Sequence, residues 1–442
     1  MIVSLPTVED NPLKINTLSV KNFRCYRERA FQFHPNVNLI VGQNATGKTA
    51  LLDAVSIAIA SWILGFKKKN DKKSLEPTDA TLSYLEKEGE PQFVEAWPVV
   101  VAASGIVKGK NIDWERSKAS PSGNTRYGDA SDLIALAKEC DSSLEKDVSL
   151  PLISYYGTMR LWQDPKASKT TPSLTKSNSK PSRLDGYKHC VDPRIGLKEL
   201  IAWFARQEWH AYQSGKESTM LTVVRKAVIS CIENAEHLYY DPKRLELILR
   251  LRDSEPQPFS MLSDGQRCVL ALIADIAQKA ALLNPHLGEG VLEKTEGVVL
   301  IDELDLHLHP KWQRHVIEDL RTTFPKIQFI FTSHSPFLIQ SLRSSEELIM
   351  LDGLAPAQLA NKTLEDISDG IMDVNTPEVS HRYAEMKGVA KDYLKTLNEA
   401  ENAPEDKLQQ YKDRLADSLA PYADNPAFQA FLEMQRVAKL GE

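Results

Sequence analysis

The stretch Gly42-Gln43-Asn44-Ala45-Thr46-Gly47-Lys48-Thr49 decides how this chain is read. It follows a short, strongly apolar run, Val37 to Val41, and precedes Thr49 to Leu64, a segment apolar nearly all round. Strand, glycine-bearing loop and helix, in that order, is the context in which a phosphate-binding loop works. The glycines let the backbone wrap closely around anionic oxygens. Loop amides and the positive end of the helix dipole then face the anion. Lys48 is placed to reach the β- and γ-phosphates and the Thr49 hydroxyl to hold Mg²⁺, with Gly42, Asn44, Ala45, Thr46, Gly47 and Ala50 completing the cradle. An ordinary glycine turn before a helix would leave the placement of lysine and hydroxyl unexplained.

A second block, Val298-Val299-Leu300-Ile301-Asp302-Glu303, is an apolar strand ending in two acids. A buried strand brings its terminal carboxylate to the C-terminal edge of a sheet, where nucleotide sites form. Asp302 is expected to hold Mg²⁺, directly or through water, and Glu303 to polarise an attacking water. Alone, the block reads equally as a strand with a solvated acidic turn. Leu262-Ser263-Asp264-Gly265-Gln266 opens a helix over 263–283. Ser263 suits its cap and Gly265 frees amides for an anion, although a capped surface helix explains the pattern as well. Phe331-Thr332-Ser333-His334 ends a further strand with a histidine. Asp305, His307 and His309 have a spacing open to zinc, but no further cluster supports it.

Around these blocks the composition is that of an ordinary globular chain: 442 residues, 42% hydrophobic and 26% charged. That excludes collagen-like, mucin-like and wholly disordered readings and suggests two or three domains. No run reaches ~18 apolar residues, so no membrane span is expected, and no secretory leader is visible. Cysteines 25, 140, 190, 231 and 268 are odd in number and form no CxxC pair. Reduced thiols in a cytoplasmic protein are the simple reading. The net charge of −6 is localised: from Leu354 to Glu442 there are 10 Lys+Arg against 16 Asp+Glu, and the rest balances. Such a tail suits a basic protein partner better than nucleic acid.

Strands and helices alternate around the motifs, which makes the chain α/β. The expected organisation is a head from 1–66 and 245–353, with an inserted lobe over 67–244. The insertion is expected to be helical from about 195 to 238, with a head-like strand near 150–162. Lys-rich loops at 67–73 and 164–188 read as solvated or disordered, with contact to DNA or RNA as the alternative. Residues 354–442 read as an acidic helical segment, docking a partner or capping the head.

In order, these blocks resemble the ABC-type P-loop ATPases of the structural-maintenance, RecF and Old-nuclease lineage. The resemblance makes 42–49 Walker A, 262–266 the signature, 297–303 Walker B, Leu304-Asp305 the D-loop and His334 the switch histidine. It implies that Arg24, in Asn22-Phe23-Arg24, touches nucleotide phosphates, that Glu303 and His334 are catalytic, and that Asp305 lies at the nucleotide. It implies ATP and Mg²⁺, with Thr49 and Asp302 as metal ligands. Gln163 is a weak candidate for the Q-loop glutamine. Because one chain holds one loop and one signature, it also implies a head-to-tail homodimer, or a higher homo-oligomer, around two ATPs. A more specific resemblance, carried by Leu152 to Trp162 and Asp302 to Pro310, is to the PtuA ATPases of Septu antiphage systems, also found with retrons. That family works with a separate HNH nuclease, PtuB. No DxD pair occurs in the 442 residues, which argues against a TOPRIM nuclease within the chain. A DNA-repair ATPase of RecF type, or an ATP-sensing scaffold with little turnover, remain the alternatives.

Overall fold

The computed structural model describes residues 13–67, 72–87, 90–161, 182–352, 362–372, 381–401, 405–419 and 425–440. The chain divides into two compact units, Met1–Lys362 and Thr363–Glu442.

At the centre of the first unit is a parallel sheet whose strands come from distant parts of the chain. β1 (Lys14–Phe23), β2 (Tyr26–Gln32) and β3 (Val37–Val41) open the chain. The loop of Gly42 to Gly47 leads into α1 (Lys48–Ile63). Then follow β4 (Thr81–Lys87), β5 (Glu90–Ala96), β6 (Val99–Val107), β7 (Lys110–Lys118), α2 (Ser131–Ser142) and β8 (Leu152–Tyr156). Two helices, α3 (Leu197–Ser214) and α4 (Thr219–Cys231), precede β9 (Ala235–Asp241), β10 (Glu246–Leu251) and β11 (Gln257–Pro258). The unit closes with α5 (Asp264–Leu283), α6 (Val291–Lys294), β12 (Gly297–Ile301), α7 (Pro310–Gln313), α8 (Val316–Thr323), β13 (Ile327–Thr332), α9 (Pro336–Gln340) and β14 (Leu348–Met350).

The parallel sheet runs β14-β3-β13-β12-β8 among the described residues. Every residue of β3, β8, β12 and β13 is buried, as expected of strands covered on both faces. A second, antiparallel sheet runs β2-β1-β6-β7. Helix α1 touches strands of both sheets, which explains why it is apolar on every side. Its backbone is pinned as well: Trp114 Nε1 donates to the Ala58 carbonyl at 3.0 Å and Arg116 Nη1 to that of Ile57 at 3.3 Å. Burial lowers the Arg116 guanidinium to a pKa of about 10.

The insertion at 67–244 holds more strand than the expected helical lobe: β6 and β7 belong to the antiparallel sheet beside β1. The head-like strand expected near 150–162 is β8, an edge of the parallel sheet among the described residues. The alternation of buried and half-buried residues along Val99–Val107 is a strand period that the surrounding polar, loop-like composition obscured. The helical stretch ends at Cys231, since 235–241 is the strand β9. Between β12 and β13 stand two short helices, α7 and α8.

The second unit contains α10 (Leu364–Gly370), α11 (His381–Glu401), α12 (Glu405–Leu419) and α13 (Pro426–Leu440). Its core is Tyr393, Leu397, Leu415 and Leu432, with Phe428 packed against them. Asn425 caps α13, its side-chain oxygen accepting from the Phe428 amide at 3.2 Å. Among the described residues no helix of the chain is long and apolar enough to cross a membrane.

Candidate nucleotide site

The phosphate loop joins β3 to α1, so the amides at the helix start point into the turn. Gly47 sits at the helix cap with φ 104° and Ala45 also has positive φ, at 67°. A Cβ on Gly47 would lie 2.5 Å from Cys25 Sγ and 2.7 Å from the Tyr26 hydroxyl; one on Gly42 would lie 2.7 Å from Thr46 Oγ1. Both glycines are therefore required by space, and Gly47 by backbone conformation too. Asn44 lies at the exposed tip, and Ala50 is buried in the first turn of α1. Lys48 is 8% exposed, its ammonium donating to the Gly42 and Gln43 carbonyls at 2.8 Å each. Burial lowers its pKa below the usual lysine value, against the pull of Glu303, Asp302, Asp352 and Asp305.

Walker B reaches the loop because β12 and β3 flank β13 in the sheet. Asp302 is 3% exposed and both its oxygens accept hydroxyls: Thr49 Oγ1 at 2.9 Å and Thr332 Oγ1 at 2.6 Å. The Thr332 hydroxyl oxygen in turn accepts from the Glu303 amide at 2.7 Å. Glu303 stands just past the strand with φ 47°, a left-handed conformation that non-glycine residues adopt at a cost.

That bend is held from behind by Arg160. Its side chain is 2% exposed and donates from Nη1 to the Asp302 carbonyl at 2.9 Å and from Nη2 to the Glu303 carbonyl at 3.1 Å. Further bonds go to the Gly157 carbonyl at 3.1 Å and, from Nε, to Cys268 Sγ on α5 at 3.1 Å. Arg160 thus ties the β8 segment, the Walker B turn and the signature helix together. Sequence reasoning quoted this residue without giving it a role, and overlooked Thr332 and Asp352, whose carboxylate accepts from the Gln43 amide at 2.8 Å. Thr332 was within reach of the motif reading, because it ends the strand beside Asp302. Asp352 belongs to no motif.

Ser263 caps α5 in a reciprocal capping box with Gln266. Gly265 packs on the D-loop: a Cβ there would lie 2.6 Å from the His307 carbonyl oxygen. Gln313 Nε2 donates to the Leu308 carbonyl at 2.8 Å and to that of Asp305 at 3.4 Å, fixing the same loop. His334 lies half-buried between β13 and α9. His309 caps α7 through Nδ1, and no group of three or more metal-ligating side chains occurs among the described residues.

Arg24 is committed to carboxylates: Nη1 to Asp53 at 2.5 Å and Nε to Asp79 at 2.9 Å. Asp53 also takes Lys73 at 2.7 Å, so this lysine of the basic 67–73 segment is an internal partner instead of a free surface charge. Burial alone would raise Asp53, but Lys73 and Arg24 hold its carboxyl below the usual range. Likewise Lys188 pairs with Glu199 at 2.6 Å, and Arg183 donates to the carbonyls of Leu283, Leu144, Lys146 and Val148. Gln163 lies outside the described residues.

The arrangement fits a Mg-nucleotide. Two close-approach glycines shape a cradle, and Thr49 and Asp302 offer the oxygen donors a hard cation takes. Asp305 Oδ1 is buried with no hydrogen-bond partner. Fold and site together define an ABC-type P-loop ATPase head. Residues 155–340 match the family described as "AAA domain, putative AbiEii toxin, Type IV TA system", and residues 17–208 match "AAA domain". The chain is similar to the Retron Ec83 probable ATPase of Escherichia coli, 33% identical over 62% of this chain and 44% of that protein. It is 21% identical to the Retron Vc95 probable ATPase of Vibrio cholerae, over 77% of this chain and 74% of the relative. Septu protein PtuA of Bacillus mycoides is 40% identical over 39% of this chain and 21% of its own length. The match thus spans less than half of the Ec83 and PtuA relatives.

Proposed function

We propose that the chain binds and hydrolyses ATP as the ATPase subunit of an antiphage defence assembly, in which it regulates a partner HNH nuclease. The observation carrying the ATPase reading is the meeting of Thr49 and Thr332 on the two oxygens of Asp302 beside Lys48. In this reading Lys48 and the loop amides bind phosphate oxygens, and Thr49 with Asp302 hold Mg²⁺. The bound cation supplies charge neutralisation on the phosphates. Glu303, turned out of the strand line by its left-handed backbone, orients the attacking water and accepts its proton. His334 binds the terminal phosphate in this reading. Ser263 and Gln266, whose hydrogen bonds run to each other, are supplied by a second copy of the chain to close over the nucleotide.

The defence part is supported by relatives that carry retron and Septu names. The acidic tail is the docking segment in this reading. Phe431, Met434 and Val437 stand exposed three residues apart along α13, an apolar stripe in an acidic unit. The test is a purification series. The intact chain should turn over ATP with Mg²⁺. Lys48→Ala should lose ATP binding, and Glu303→Gln should bind ATP while turnover falls by about 10²–10⁴. A small HNH protein should co-purify from the native host and be lost when residues 363–442 are removed. Undiminished turnover in Glu303→Gln would sink the catalytic assignment. Repair proteins in place of a nuclease would sink the defence assignment.

A further inference from the structure

Away from the phosphate loop, the first unit contains a cavity of about 350 Å³. It lies between the short turn Arg183–Tyr187, the first half of α3 and the second half of α5. Its size falls at the lower end of the range for small-molecule sites. The chemistry of its wall is mixed. Lys188 and His189 share Glu199, at 2.6 Å and 3.7 Å. Burial would raise the Glu199 carboxyl, but hydrogen bonds from these two bring it down to about 2. Arg206 and Gln278 line the cavity too, and neither has a hydrogen bond or ion pair with a described residue. Gln278 is only 9% exposed, and its amide has no hydrogen-bond partner among the described residues. Trp203 supplies an aromatic wall.

The innermost part of the wall is an ion pair, Lys279 with Asp275 at 2.7 Å, both more than nine-tenths buried. The Tyr156 hydroxyl donates to Asp275 Oδ2 at 2.7 Å. The Tyr156 carbonyl accepts from the Asp302 amide at 2.7 Å. Three contacts therefore join the cavity to the Walker B acid.

We propose that this cavity binds a nucleoside monophosphate and that its occupation is transmitted to Asp302 through Asp275 and Tyr156. A phosphate calls for a forked cation, which Arg206 offers beside Lys188 and His189. A base calls for a flat apolar wall, which Trp203 offers, and for an amide with spare donors and acceptors, which Gln278 offers. The binding half stands independently of the ATPase reading; the transmitted half rests on it.

The experiment uses the full chain carrying Lys48→Ala, so that the phosphate loop contributes nothing, and labelled AMP in equilibrium dialysis. One saturable site per chain is expected, with adenosine and inorganic phosphate each competing weakly. Arg206→Ala and Gln278→Leu should each weaken binding by about tenfold or more, at an unchanged unfolding midpoint. No saturable binding of AMP, GMP, CMP or UMP at millimolar concentration would overturn the site, as would binding indifferent to both substitutions. With Lys48 restored, saturating AMP should change kcat for ATP. Tyr156→Phe, which removes only the linking hydroxyl, should keep AMP binding and abolish that response. An unchanged kcat with AMP bound would overturn the transmission. A chain without ATP turnover would fail the earlier reading, while the dialysis still decides the site.

Discussion

Replacing Arg160 with methionine tests how the turn at Asp302 and Glu303 is held and what it does. The change removes a charged donor from three carbonyls, those of Gly157, Asp302 and Glu303, and from Cys268 Sγ. Each charged hydrogen bond is worth ~1.5–3 kcal/mol, but the three share one guanidinium and do not add. Methionine restores much of the lost volume. It also removes the desolvation cost of a buried cation that bonds three carbonyls and a thiol and no carboxylate. A net loss of about 2–4 kcal/mol follows, and the unfolding temperature should fall by several degrees. The kinetic effect is more specific. The left-handed backbone at Glu303 stores about 1–2 kcal/mol, and Arg160 holds its carbonyl in place. Released, the turn relaxes and Glu303 leaves its station. kcat for ATP should drop about 10- to 100-fold, each tenfold step being 1.36 kcal/mol, while KM stays within about threefold because Lys48 and Thr49 are untouched. Arg160→Lys should not restore kcat, since an ammonium lacks the fork that spans two carbonyls. Steady-state ATPase assays and thermal unfolding on the same preparations decide it. A folded Arg160→Met chain with kcat within twofold of the original would refute the reasoning. So would kcat losses that merely track the unfolded fraction.

Thr332→Val removes the hydroxyl joining Asp302 to the Glu303 amide; kcat should fall at least tenfold, with ATP still bound in a filter assay. Gly265→Ala drives a Cβ to 2.6 Å from the His307 carbonyl and should lower ATP-dependent self-association in light scattering. The sign of the pH effect at Asp53 is fixed by its depressed pKa. Its stabilisation is present above the unfolded value of ~4 and is lost as pH falls through the folded one. Thermal melts should therefore show the original chain losing stability more steeply than Asp53→Asn below about pH 4. Asn425→Ala should destabilise the second unit by about 1 kcal/mol in urea unfolding, through loss of the α13 cap.

Much of this was legible because the informative features are local. The glycines, lysine and threonine of 42–49 lie within eight residues, and the Ser263–Gln266 capping box within four. Pro426 at the start of α13 with Asn425 as its cap is equally local. The ABC-type head was legible for the same reason. Arg160 was not, because its meaning depends on carbonyls 142 and 143 residues away and nothing in Thr158-Met159-Arg160 states that pairing. The strands at 99–118 were hidden differently: their alternation is regular, but Glu115, Arg116 and Lys118 face partners that only the folded sheet supplies. Lys73 looked like one more lysine in a basic run, and only its distance to Asp53 shows otherwise.

Thr49 and Asp302 are 253 residues apart, and among the described residues β3 pairs with β13 and β14 alone, both made later still. During synthesis the phosphate loop therefore emerges without the carboxylate, the threonine or the neighbouring strands that complete it. At ~5–20 residues per second that interval is roughly 15–60 s. For that time the apolar strand β3 lacks its neighbours, and α1 has one of its two sheets, the antiparallel one of residues 14–118, to cover it. Nascent-chain survival, as much as nucleotide chemistry, then becomes a selective pressure on this head. Escort by a holdase chaperone, or slow codons after residue 66, are the places where that pressure would leave its mark.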